Sequence, residues 1–163
     1  MLISMNTREL SHSLTALFAE LVDGAPTDAA YMLNRGDRGL LGSLDRLPAS
    51  AASGKIAAHV DHVRYGLSLM NRWAGGEPNP FATADWTAAW RTTRVSDAEW
   101  AKLRADLRDE AHRWLAALGT PREVDDVALN GMIGSIAHLA YHLGAIRQID
   151  QSTRGPAESQ LNP

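Results

Sequence analysis

Residues 54–76 read GKIAAHVDHVRYGLSLMNRWAGG. Within them Ile56, Val60, Val63, Leu67, Met70 and Ala74 recur at steps of four and three, which stacks them along one stripe of a helix; a strand would need apolar residues at every second position. Gly75 and Gly76 end the run as glycines end helices. The spacing predicts a helix over 55–74, and the same period governs most of the chain. Leu10, Leu14, Leu17 and Leu21 predict a first helix to about Asp23, with Asn6 and Glu9 spaced as a capping box. Ser96 and Glu99 repeat that spacing before Trp100, Leu103, Leu107, Ala111, Trp114 and Leu118, a third helix closing at Gly119. After Pro121 a last helix is expected over about 123–150, apolar on more than one side and so set against several neighbours.

Two long connections separate these helices. In the first, Leu40, Leu41, Leu44 and Leu47 before Pro48 predict a short helix, and Ser50 to Gly54 a small-residue loop. In the second, Pro78 and Pro80 precede Trp86 and Trp90, which are expected to pack into the core or to line a pocket. Strand signals are nearly absent. Four long helices with long crossover connections predict an all-α four-helix bundle. It forms one domain over 1–151, and the polar segment 152–163, with its glycine and two prolines, is expected to be a flexible tail.

Composition narrows the function classes. The 163 residues suffice for one domain that buries roughly two-thirds of its unfolded surface. Apolar residues are 45% and charged residues 21%, an ordinary globular balance. Sixteen basic and nineteen acidic residues are interleaved, for a net charge of −3, so no basic patch is offered to nucleic acid. With no cysteine, disulfides, thiolate metal sites and cysteine nucleophiles are excluded, and any metal must be held by nitrogen or oxygen. The opening MLISMNTREL lacks the features of a signal peptide, and no apolar stretch approaches the about 18 residues of a membrane span. A cytoplasmic location is expected.

The histidines carry the chemistry. His138 and His142 are four apart in the last helix, on one face and within reach of a shared ion. On a helical wheel that face also holds Val127, Gly131, Gly134, Ala145 and Ile149, all uncharged, so the pair is expected to point inward. Gly131 and Gly134 each cost about 1 kcal/mol in a helix interior, and either close helix packing or room for a ligand beside the imidazoles would justify them, with room favoured. On the second long helix His59 lies at the rim of the apolar stripe, with His62 roughly 60° further round. His59 is the expected third ligand, and a small rotation of the helix would exchange it for His62. Three neutral imidazoles leave a position for water or substrate and suit Zn²⁺, Ni²⁺ or Fe²⁺. His12 and His112 sit among polar neighbours and are expected on solvated faces.

The segment at 54–76, the DWTAAW of the second connection and IAHLAYHLGAIRQI at 136–149 resemble the DinB-like superfamily of bacterial four-helix proteins, which includes the proposed metal hydrolases of the YfiT type. The resemblance covers most of the chain. Its core is one histidine on the second helix and HxxxH on the fourth, followed by a glycine and a glutamine, matched here by His59, His138, His142, Gly144 and Gln148. It implies up, down, down, up topology, a divalent metal at the three histidines and often a homodimer. Members with known activity include transferases that use low-molecular-weight thiols and a thiol-dependent isomerase.

A metal-dependent enzyme acting on a small molecule is therefore expected, with a thiol-dependent transferase foremost. A hydrolase and a non-catalytic metal-binding protein are the alternatives. HLAYH lacks the glutamate of the HExxH protease motif, which argues against a peptidase. Tyr141 and Tyr65 are candidates to hydrogen-bond substrate, and Gln148 to orient a ligand or water.

Overall fold

The computed structural model describes residues 7–157. Its helices are α1 (Thr7–Asp23), α2 (Gly39–Leu44), α3 (Ala49–Ala52), α4 (Lys55–Ala74), α5 (Asp97–Gly119) and α6 (Asp126–Ile149), with 3-10 turns at Ala88–Arg91 and Gln151–Thr153. No strand occurs among the described residues, and no described helix is long and apolar enough to cross a membrane. The four long helices form a ring of contacts: α1 packs on α5 and α6, and α4 packs on the same two from the other side. Phe18, Val60, Leu107, Trp114, Leu118 and Ile146 meet at its centre with no exposed surface.

Local chemistry places the helix ends. The Ser96 hydroxyl accepts from the Glu99 backbone at 3.3 Å while the Glu99 carboxylate accepts from the Ser96 backbone at 2.8 Å, the expected box. α6 starts three residues later than its pattern begins, because the Asp125 carboxylate accepts from the Ala128 backbone at 2.8 Å and caps it there. The box expected at Asn6 lies outside the described residues. The small-residue loop after Pro48 instead contains the single turn α3, and the short helix before it ends at Leu44.

Two buried carboxylates hold the first connection. Glu20 accepts backbone N–H groups from Tyr31, Met32 and Leu33 at 2.6–2.9 Å. Asp37 accepts from the Gly39 backbone at 2.9 Å and from Arg147 at 2.7 Å, tying the connection to α6. Gly39 is required here: at φ +64 a Cβ would lie 2.6 Å from the Gly24 nitrogen.

Past α6, the start of the segment expected to be a flexible tail is held. Thr153 is buried, Arg154 donates to the carbonyl of Arg147 and the side chain of Gln148, and the Pro156 carbonyl accepts from Asn34.

The tryptophans divide into two groups. Trp100 and Trp114 are core residues whose indole N–H groups donate to the Leu47 carbonyl and the Ser135 hydroxyl. Trp86 and Trp90 remain 40% and 45% exposed, so the second connection does not deliver them to the core. They lie against histidines.

Candidate metal centre

α4 and α6 run side by side, and each brings two histidines to their shared edge. The Nε2 atoms of His62 and His138 are 3.1 Å apart, and those of His138 and His142 are 3.0 Å apart. These three residues form the group, among the described residues, whose ligand atoms all lie within 4.8 Å of one another. His59 stands behind it, with its Nδ1 2.7 Å from the Nδ1 of His142. The third member of the converging group is His62, the residue that a small rotation of α4 exchanges for His59, the expected ligand.

The packing shows why the wheel could not separate His59 from His62. α4 buries Ile56, Val60 and Val63, but also Ala57, Ala58, Gly66 and Leu69, because it is covered by α5, by α6 and by the 3-10 turn at Ala88–Arg91. A single-stripe reading cannot show which part of so broad a buried face meets α6. One sequence signal was available: Gly66, one turn after His62, leaves a gap in which a Cβ would sit 3.7 Å from both the His138 ring and the Trp86 ring.

On α6 the expected inward face is only partly inward. The core takes Met132, Ile136, Leu139, Leu143 and Ile146, whereas Val127 is 80% exposed and Gly131, Gly134 and Ile149 also face outward. The histidine pair lies at the boundary between the two faces. His142 is 3% exposed and His138 half-buried, so the group is anchored in the core and approachable from outside.

The ionisation states suit a ligand set. Burial, reinforced by His138, His59 and His62, holds His142 down to about 3. Burial also lowers His138, followed by the effect of His62, and lowers His59, followed by His62 and Lys55. His62 is lowered by burial against the opposing effects of the Trp86 backbone and Asp61. All four rings are neutral at pH 7 and have lone pairs to give.

Hydrogen bonding does not satisfy this arrangement. The Nε2 of His138 faces two other Nε2 atoms at hydrogen-bond distance, yet a neutral imidazole nitrogen has either one proton or one lone pair in the ring plane. It can serve one of those neighbours well, not both. A shared cation serves all three: ligands about 2.0–2.1 Å from one ion at tetrahedral to right-angle spacing are about 2.9–3.4 Å apart. The donor set therefore fits a divalent ion that accepts imidazole, such as zinc, nickel or ferrous iron.

The second connection forms the wall of the site. The Trp90 ring meets His59 and His62 at centroid distances of 5.0 and 5.2 Å, and Trp86 meets His62 at 5.8 Å. Tyr65 acts on this wall rather than in the site, since its hydroxyl accepts from the Asp85 backbone at 3.1 Å and its ring packs on Trp86. A cavity of 330 Å³ opens beside His62 and His138, and Gly66, Gly131 and Gly134 border it. Gly131 and Gly134 thus border open space, with nothing within 4 Å of a Cβ at Gly134.

The remaining sequence candidates are dispersed. Tyr141 is exposed, with its ring edge-on to His142 at 5.1 Å. Gln148 accepts from Arg154 at 3.1 Å and, with Gly144, lines a different cavity near Asp37 and Arg147. His12 is exposed, and exposed His112 contacts Asp23 at 2.9 Å. The chain matches no family model, no curated protein and no solved structure.

Proposed function

We propose that the protein is a metal-dependent enzyme acting on a small molecule, with one divalent ion held by the Nε2 atoms of His62, His138 and His142. The observation that carries this reading is the approach of the His142 and His62 Nε2 atoms to the single Nε2 of His138, at 3.0 and 3.1 Å, which one proton or one in-plane lone pair cannot serve well at once. An ion there would supply Lewis-acid chemistry, polarising a substrate or lowering the pKa of a coordinated water or thiol.

The chain's own residues have separate parts in this reading. His62, His138 and His142 ligate through Nε2, which places the proton of His142 on Nδ1. His59 accepts that proton in a hydrogen bond and so fixes both the tautomer and the ring orientation. Trp90 and Trp86 exclude water from one side of the rings. Half-exposed His138 and the cavity beside it favour a centre open to substrate over a closed store.

The DinB-like assignment, with its up, down, down, up four-helix bundle, belongs to the same proposal and is supported by the ring of four long helices and the two long connections. The reaction class proposed is transfer to or from a low-molecular-weight thiol, with an electrophilic small molecule as partner and a homodimer as the working unit. Hydrolysis ranks second, because the converging group contains no carboxylate to act as base. Gln148 has no part in this site.

Elemental analysis of tag-free protein tests the proposal. Near one equivalent of metal in the parent and almost none in His138→Ala is the expected result. No metal in either, after incubation with Zn²⁺, Ni²⁺ and Fe²⁺ in turn, would overturn it.

A further inference from the structure

The cavity beside the histidines has an unusual wall. Val63, Leu67, Met70, Phe81, Trp86 and Leu139 line it, and no lysine, arginine, aspartate or glutamate does. Ser135 borders it too, but its hydroxyl already donates to the Met132 carbonyl at 2.7 Å and accepts from the Trp114 indole at 2.9 Å. Among the lining side chains, polar atoms remain to a guest on His62, on His138 and on the indole of Trp86, a neutral donor. An ammonium placed here, or a carboxylate out of reach of the histidine centre, would leave water without a charged partner, which is strongly unfavourable. Three glycines, Gly66, Gly131 and Gly134, border the space. Its 330 Å³ is about twice the roughly 150 Å³ of a cavity that takes benzene.

We infer that this chamber receives the neutral, apolar body of the substrate, of about two-ring aromatic size, and that the histidine centre recognises its polar reacting group. The inference deepens the metal-enzyme reading and rests on it for the position of the reacting group. The chamber itself does not depend on the metal, so the two can fail separately.

The test uses the full chain and prodan, a neutral two-ring naphthalene fluorophore, with metal content measured on every sample. Prodan should bind with a blue-shifted emission, methylnaphthalene should displace it, and in metal-free protein, where no ion can hold a carboxylate, naphthoate should compete roughly tenfold or more less well. Gly134→Leu should fold at least as well as the parent, since leucine favours a helix more than glycine, and should weaken prodan binding roughly tenfold while keeping the metal. His142→Ala, outside the chamber wall, should lose metal and keep prodan. Naphthoate competing as well as methylnaphthalene in metal-free protein, or unchanged prodan binding in Gly134→Leu, would overturn the inference. Absence of prodan binding to protein that holds one equivalent of metal would overturn it while leaving the centre intact. Prodan binding to protein that takes up no metal would overturn only the metal reading.

Discussion

Replacing His59 and His62 separately with alanine distinguishes a ligand from the residue that orients one. Structural zinc sites with four ligands bind with about 10–16 kcal/mol, or about 2.5–4 kcal/mol per ligand, so His62→Ala should weaken binding roughly 10²–10³-fold. His59 meets the far nitrogen of His142 at 2.7 Å, and loss of such an outer partner costs about 10–100-fold. His59→Gln, which retains an acceptor oxygen, should recover part of what His59→Ala loses, whereas His59→Leu should not. Competition against a chromophoric chelator at pH 7.5 measures all four variants on one scale. If His59→Ala loses metal as completely as His62→Ala, or if His62→Ala retains parental affinity, the assignment of Nε2 ligands is refuted.

Two further outcomes follow from other parts of the molecule. In metal-free protein His142 is held down to about 3 when folded, against about 6.5 when unfolded. The unfolded chain therefore binds the extra proton between these values, and stability should fall as pH drops through that window, by at most about 1.4 kcal/mol per pH unit from this group. Urea midpoints of apo-protein at pH 7 and pH 5 read the change, and no difference, or greater stability at pH 5, would contradict the buried neutral ring. Glu20→Gln should destabilise the fold by about 2 kcal/mol, since an amide can accept through only one of the two oxygens that now hold the Tyr31–Leu33 backbone. Urea denaturation measures it, and a cost below about 0.5 kcal/mol would mean that the loop is held by other contacts.

The sequence by itself determined the helices, because their signals are local. The three- and four-residue steps of 56–74, the Ser96 and Glu99 box and the paired glycines after Ala74 act within a few residues of the chain. It also determined that His138 and His142 lie side by side, since a separation of four in a helix leaves two side chains little choice but to be neighbours. Only the tertiary structure decided the third partner. His59 and His62 are three apart on one helix, and which of them faces α6 depends on how α4 is rotated between α5, α6 and the second connection. The same holds for Trp86 and Trp90, whose place beside the histidines is fixed by the path of a connection without periodicity, tied down by Tyr65 and Asp85. It holds also for Gln148, on the right helix but drawn to Arg154 near the chain's end. Helix formation is written in neighbours along the chain; a site assembled from two helices and a loop depends on rotations and contacts between residues up to 83 positions apart.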